Sequence, residues 1–330
     1  MKLRIIVFIT VCIASMFWVH AQSKAVPVIF DTDMGPDYDD VGAIAMLHAF
    51  ADNGEAEILA TMASTKYEGV ASVLDVLNTY FQKPDIPIGV PKGNALLLKD
   101  FQHWTDTLIA KYPHSLKSNK EAPDVVRLYR KILSRQPDTS VTLITVGFLT
   151  NIAAVLRSLP DDISPMTGEE LLHRKVKRMV SMAGKFPKGL EFNIEEDSNS
   201  AIFAFNRLKV PIVFSGFEIG DKILTGLPLV NDKKVQHSPI KDVYSISIPK
   251  AESDRNGRMS WDQTAVLVAV KGYSPFFKVK SGTIVVNKDG SNVWDDGGSG
   301  HHHLITIRPH EEVRTYIDSL MRHQPRIFKN

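Results

Sequence analysis

The sequence has a single cysteine, Cys12, in 330 residues. No disulfide can form within the chain, so its stability has to come from a packed core. A charge excess of one sign is also missing, with 39 Lys and Arg against 37 Asp and Glu. That balance gives no electrostatic reason to expect a nucleic-acid or membrane-surface partner. There is no internal repeat, no low-complexity tract and no linker rich enough in Pro, Gly or Ser to divide the chain. With 44% apolar residues, one large domain is the economical reading.

One apolar run stands apart. Lys2 and Arg4 precede Ile5 to Val19, and Val19-His20-Ala21 fits a small-residue cleavage site. The pattern is that of a secretory signal peptide, 1–21, ahead of a domain at 22–330, and the run is short for a membrane span. Cleavage would remove the only cysteine and two basic residues, leaving 37 basic against 37 acidic residues. The expectation is a periplasmic or secreted protein with no membrane association after cleavage.

The remainder alternates between β-branched runs and helix-period stretches. Strand then helix is expected at 28–30 and 40–51, 56–63 and 70–81, 141–146 and 150–158, and 176–183 and 198–208, with a further strand at 210–214. This predicts an α/β fold with a doubly wound, mostly parallel sheet flanked by helices. Long loops are expected at 91–123, 160–174 and 226–260, where such folds often build walls or lids. Ligands of open α/β sheets bind at the carboxyl ends of the strands. Asp31 and Asp33 directly follow the first strand, while Gly147 and Gly184 follow two later ones.

The segment VIFDTDMGPDYDDVGAIAML, 28–47, places Asp31, Asp33, Asp37, Asp39 and Asp40 within ten positions. Carboxylates that close repel one another unless a positive charge sits among them. Asp39 or Asp40 could simply cap the following helix. Several hard oxygen donors in one tight loop also suit Ca²⁺ or Mg²⁺, although the spacing is not that of a helix–loop–helix calcium site. FDTDMG resembles the Asp-x-Asp motif of haloacid dehalogenase-type phosphatases, which use Mg²⁺. The double Asp opening a helix does not continue that motif.

A more specific resemblance covers about residues 27–270. Asp31-Thr32-Asp33-x-Gly35, followed by Asp39-Asp40 and an Ala-rich helix, resembles the start of the inosine–uridine-preferring nucleoside hydrolases. VTLITVGFLTNIAAVLRSLP (141–160), LEFNIEEDSNSA (190–201) and WDQTAVLVA (261–269) are similar to three later segments of that family, in order. The resemblance implies hydrolysis of the N-glycosidic bond of ribonucleosides around a bound Ca²⁺. Carried over, Asp33, Asp40, Asp262 and the backbone carbonyl of Val146 would hold the ion. Asp33 would be the general base. Asp37 or Asp39, with Glu191 and Asn193, would hold sugar hydroxyls. Assembly as a homo-oligomer, dimer or tetramer, is a further implication, and the partner is a small-molecule nucleoside.

The sequence departs from the family at several points. The double Asp lies two positions later than usual, 64–70 lacks an Asn often found there, and 183–193 has no Asn before Glu191. Trp261 stands where many members carry His as acid for the departing base. A purine-specific branch resembles this sequence in having Trp there, which implies a stacking role and a preference for purine ribosides. Trp104 is a candidate second stacking face. His301, His302 and His303 are expected in a loop at the rim rather than at a zinc centre, because neighbours on a strand cannot all point one way. A catalytically silent nucleoside- or sugar-binding protein and an Mg²⁺-dependent phosphatase are the alternatives.

Overall fold

The computed structural model describes residues 24–325, so the expected signal peptide at 1–21 lies outside the described residues. The strands are β1 (Val26–Thr32), β2 (Ala56–Ala63), β3 (Ile88–Gly89), β4 (Val141–Thr145), β5 (Val176–Met182), β6 (Lys188–Leu190), β7 (Ile212–Ser215), β8 (Leu224–Thr225), β9 (Arg258–Met259), β10 (Phe277–Val286), β11 (Ser291–Asp295) and β12 (His301–Thr306). Ten of them form one sheet in the order β3-β2-β1-β4-β5-β7-β12-β10-β11-β6, and β8 pairs with β9 separately. The first seven in that order run parallel, and β10, β11 and β6 close the far end antiparallel.

Each face of the sheet has its own apolar core. Along β1 the side chains alternate, with Val28 and Phe30 packing into one cluster and Ile29 into the other. That period of two is why a buried parallel strand reads as a continuous apolar run. The Ala-rich helix Asp39–Asp52 is buried on nearly every side and packs against the helix Trp261–Lys271. Among the described residues, no helix is long and apolar enough to cross a membrane.

Several boundaries differ from expectation. β1 runs to Thr32, so Asp31 lies within the strand and pairs with Met62 and Thr145. The three expected loops contain helices, at Thr105–Lys111, Gly168–Lys175, Leu227–Asn231 and Pro239–Ser247. These are short and anchored by capping side chains such as Thr167 and Ser238. His301, His302 and His303 are on β12, not in a loop. His301 and His303 turn into the core, where His303 stacks on Phe186 at 4.7 Å. His302 faces Ser281 on the other side, so the triplet has no common target.

The order β3-β2-β1-β4-β5 reverses direction between β1 and β4. At such a switch point the loops leaving two neighbouring strands separate and open a crevice. Here those loops carry Asp33 on one side and Val146-Gly147 on the other. They approach so closely that a Cβ added at Gly147 would lie 2.4 Å from the Asp33 amide nitrogen and 2.7 Å from Ser64 Oγ. Neither backbone can yield without moving a parallel strand. Gly147→Ala should therefore destabilise the protein by about 2 kcal/mol, the scale of overpacking a filled site, as read from urea or thermal unfolding.

Candidate active site

A cavity of about 260 Å³ opens at this edge of the sheet. Its lining includes Asp33, Asp37, Asp39, Val146, Glu191, Asn193, Trp261 and Asp262, with Met182, Leu190, Phe192, Glu195 and Phe217 completing the wall. Asp40 lies fully buried and is not part of that surface. The structure thus gathers residues from five stretches of sequence into one crevice.

The loop after β1 is held by its own backbone partners. Met34 N donates to Thr32 Oγ1 at 3.0 Å and to Asp40 Oδ1 at 3.2 Å, and Thr32 Oγ1 also donates to Asp40. Tyr67 OH donates to the Met34 carbonyl at 2.8 Å, and Thr65 Oγ1 to the Asp33 carbonyl at 3.0 Å. Asp40 Oδ2, by contrast, is buried with no hydrogen-bond partner. Asp31, two residues back on the strand, faces away from the cavity. It accepts from Tyr129 OH at 2.6 Å and from Asn151 Nδ2 at 3.1 Å. Burial pushes its carboxyl up to about 7 against those two hydrogen bonds.

Asp37 and Asp39 meet a cation absent from the sequence-based site. Arg258 Nε and Nη2 reach Asp39 Oδ1 at 3.2 and 2.8 Å, and Nη2 also pairs with Asp37. Asp39 Oδ2 accepts the Asp262 amide at 3.2 Å, so Asp39 ties the start of its own helix to the start of the helix Trp261–Lys271. Arg258 was not recognisable as a functional residue, since the sequence offers Arg255 three positions earlier in the same polar stretch. Only folding separates them: Arg258 is buried, while Arg255 is exposed.

The remaining carboxylates carry the repulsion. Burial raises Asp33 well above the usual carboxylate range, with Asp40 and Asp37 adding to the rise. Asp262 is raised by burial and then by Asp39 and Asp40, and Asp40 goes up to about 6 for the same reasons. Among the described residues, no group of three or more His, Cys, Asp or Glu side chains is arranged as it stands to hold a metal ion. The donor chemistry nevertheless fits a hard divalent cation. Asp33, Asp40 and Asp262 are buried oxygen donors, Asp40 raises both Asp33 and Asp262, Asp40 Oδ2 is unpartnered, and the Val146 carbonyl lies beside the tight Gly147–Asp33 approach.

Aromatic rings also line the cavity. Trp261 is half-buried, its ring 5.2 Å from that of Phe217, and its Nε1 donates to the Phe217 carbonyl at 2.7 Å. Phe217 escaped the sequence reading because nothing distinguishes it from a core Phe. Trp104 is not a stacking face: it is fully buried and donates to the Asp37 carbonyl at 3.2 Å, which steadies the acidic loop from behind. Glu191 caps the short helix Phe192–Glu196, accepting from Asn193 N at 2.8 Å, Gly184 N at 3.0 Å and Ile194 N at 3.3 Å. Asn193 Nδ2 donates to the Met182 carbonyl at 3.2 Å.

The fold and site define an α/β protein with a pocket lined by carboxylates and aromatic rings at the switch point of its sheet. The chain belongs to the inosine-uridine preferring nucleoside hydrolase family, whose profile matches residues 28–315. It is similar to the pyrimidine-specific ribonucleoside hydrolase RihA of Klebsiella pneumoniae, 32% identical over 211 residues that cover 59% of this chain and 61% of that one. RihA of Salmonella agona is 30% identical over 211 residues, covering 60% and 62%. The chain thus spans about three fifths of the length of these curated relatives. Among solved structures, the inosine-uridine preferring nucleoside hydrolase of Bacillus anthracis superposes with a TM-score of 0.69 at 16% identity, over 90% of this chain and 99% of that one. The plant nucleoside hydrolase PpNRh1 does so with a TM-score of 0.66 at 21% identity, over 90% and 98%. These two share the fold. The phosphatase alternative is left without support.

Burial pushes the Glu191 carboxyl from 4.5 up to about 7 despite its three backbone donors. A carboxyl raised on folding favours the folded state when protonated. Its contribution is complete below about pH 4.5 and is lost as pH rises to about 7. Glu191→Gln should flatten the fall in unfolding free energy across that window, as measured by urea titrations at a series of pH values.

Proposed function

We propose that this chain hydrolyses the N-glycosidic bond of ribonucleosides, purine ribosides favoured, to ribose and free base. The observation that carries the reading is a single cavity lined both by carboxylates and by the Trp261–Phe217 pair. A ribose fits the first and a base the second.

Water adds across the C1′–N bond, its hydroxyl going to C1′ and a proton to the base. Asp33 lines the cavity and is the general base that takes the proton from the water. Positive charge develops on the ribose in an oxocarbenium-like transition state, and the surrounding carboxylates stabilise it as it forms. Glu191, Asn193 and the Asp37–Asp39 pair hold the sugar hydroxyls. A site built on such polar grips rejects a sugar lacking a hydroxyl, because the groups left unpaired are expensive to bury. Asp33, Asp40, Asp262 and the Val146 carbonyl would hold a calcium ion. When bound, it neutralises part of the cluster and orients the water and the sugar.

Beside the base, Trp261 stands where an imidazole acid would otherwise serve. Stacking on the indole eases protonation of the base and replaces the missing acid. The RihA relatives are named as pyrimidine-specific, and the purine preference rests on Trp261 and Phe217 alone. Export through the leader at 1–21 and assembly as a dimer or tetramer belong to the same reading. It places the enzyme where nucleosides enter from outside.

Reducing-sugar release is the direct test, on inosine, adenosine, guanosine, uridine, cytidine and 2′-deoxyinosine, with Ca²⁺ and after chelation. The expected result is calcium-dependent release from purine ribosides and none from deoxyinosine. Release from uridine as well would keep the hydrolase and remove the purine preference. Calcium binding with no release from any substrate would favour a silent nucleoside- or sugar-binding protein.

Trp261→Ala separates stacking from packing. It should lower turnover of inosine by about a hundredfold, the lower end of acid–base contributions. Turnover of a nitrophenyl riboside, whose leaving group needs no proton, should change little. Equal losses on both substrates would mean that Trp261 only fills space.

A further inference from the structure

One cation sits inside the cluster, and the reading above gives it no role. Arg258 is 7% exposed. It forks onto Asp39, pairs with Asp37, and brings Nη1 to 3.8 Å from Asp254, which in turn accepts from Tyr38 OH at 2.6 Å. Its guanidinium carbon lies 5.1 Å from the Tyr38 ring centre and 4.9 Å from that of Trp261. One side chain therefore joins the loop 37–39 to the segment 254–262, which carries both Trp261 and Asp262. Among the described residues, no Lys or Arg forms an ion pair with Asp33, Asp40 or Asp262.

We propose that Arg258 is a built-in counter-cation and positioning residue. It pairs with Asp37 and Asp39 and offsets one of their two charges, leaves Asp33, Asp40 and Asp262 as the set open to a divalent ion, and holds Trp261 and Asp262 against the opening loop. The inference rests on the calcium reading above. Two physical properties of the side chain carry it. A fixed positive charge a few ångströms from a cation site repels the incoming ion. A planar fork orients two carboxylates at once, which a point charge on a flexible stem does not do.

These properties predict opposite effects on binding and turnover. Removing the charge strengthens calcium binding, and removing the fork impairs catalysis. A side chain that merely filled space would, on removal, weaken both together. The test compares the intact protein with Arg258→Met and Arg258→Lys. Calcium affinity is read by calorimetric titration, melting temperature in chelator, and kcat/KM on inosine. For Arg258→Met, calcium should bind about tenfold more tightly, melting in chelator should fall, and kcat/KM should drop about tenfold or more. Arg258→Lys keeps the charge, so its calcium affinity should stay close to the wild-type value while kcat/KM still falls.

Unchanged or weaker calcium binding by folded Arg258→Met would overturn the proposal. So would wild-type kcat/KM in Arg258→Lys, which carries the test if the Met variant does not fold. A wild-type protein that binds no calcium would remove the calcium reading and this inference with it. Calcium bound by the wild type with the same affinity in Arg258→Met would remove this inference alone.

Discussion

Repulsion among buried carboxylates is the constraint that the rest of this site answers. Asp33, Asp37, Asp39, Asp40 and Asp262 meet where two helices begin and one strand ends. Each helix start offers unpaired N–H groups and the positive end of its dipole, which is worth a few tenths to about 1 kcal/mol per charge. That is small beside the cost of burying a carboxylate without a partner. Hydrogen bonds from Thr32 and Met34 to Asp40, and from the Asp262 amide to Asp39, offset more of it. Arg258 pairs with two of the carboxylates and offsets one of their charges. A divalent cation would balance part of what remains on Asp33, Asp40 and Asp262.

The fold produces this crowding through ordinary geometry. Parallel strands β1, β4 and β5 release their loops at one edge, and the reversal of strand order between β1 and β4 opens the crevice there. Gly147 lets the β4 loop come within touching distance of Asp33. The helix Asp39–Asp52 has to start close behind that loop because its Ala-rich surface is buried against the helix Trp261–Lys271. Close helix packing needs small side chains, and small side chains bring both helix starts, with Asp39, Asp40 and Asp262, to one point. The apolar core and the charged site are thus consequences of the same packing.

Much of this was legible in the sequence because it follows from local periodicity. A β-branched run followed by Asp-x-Asp and an Ala-rich stretch marks a strand end and a helix start, and chemistry at strand ends faces one edge. That logic put Asp33 and the loops at Gly147 and Gly184 on one edge, and the family resemblance added Val146, Glu191, Asn193, Trp261 and Asp262, which line the same cavity. It failed where a shift of two residues or a distant partner decides. Extending β1 to Thr32 puts Asp31 inside the sheet, on Tyr129 and Asn151, rather than in the loop. The pairing of Arg258 with Asp39 spans 219 positions, and no local pattern distinguishes that arginine from an exposed one. Trp104 and the three histidines misled for the same reason. A large or polar side chain in a stretch without strong periodicity gives no sign of which way it turns.

The balance of charge also bears on why the cluster is not simply neutralised. Replacing Asp33, Asp40 and Asp262, which have no cationic partner among the described residues, with amides would relieve the repulsion, whereas removing Asp39 would strand the buried Arg258. Even with Arg258 and one divalent ion in place, the carboxylates outnumber the positive charges, so the pocket keeps a net negative character. That surplus is a liability to the folded state and has no structural benefit in the resting protein. On the proposed reaction, it becomes favourable when positive charge develops in the cavity on a ribose losing its base. A preorganised anionic pocket needs no reorganisation at that moment, whereas a neutral one would have to polarise. On that proposal, the instability stored in the acidic loop and the electrostatic help given to the reaction are one property, seen before and during bond cleavage.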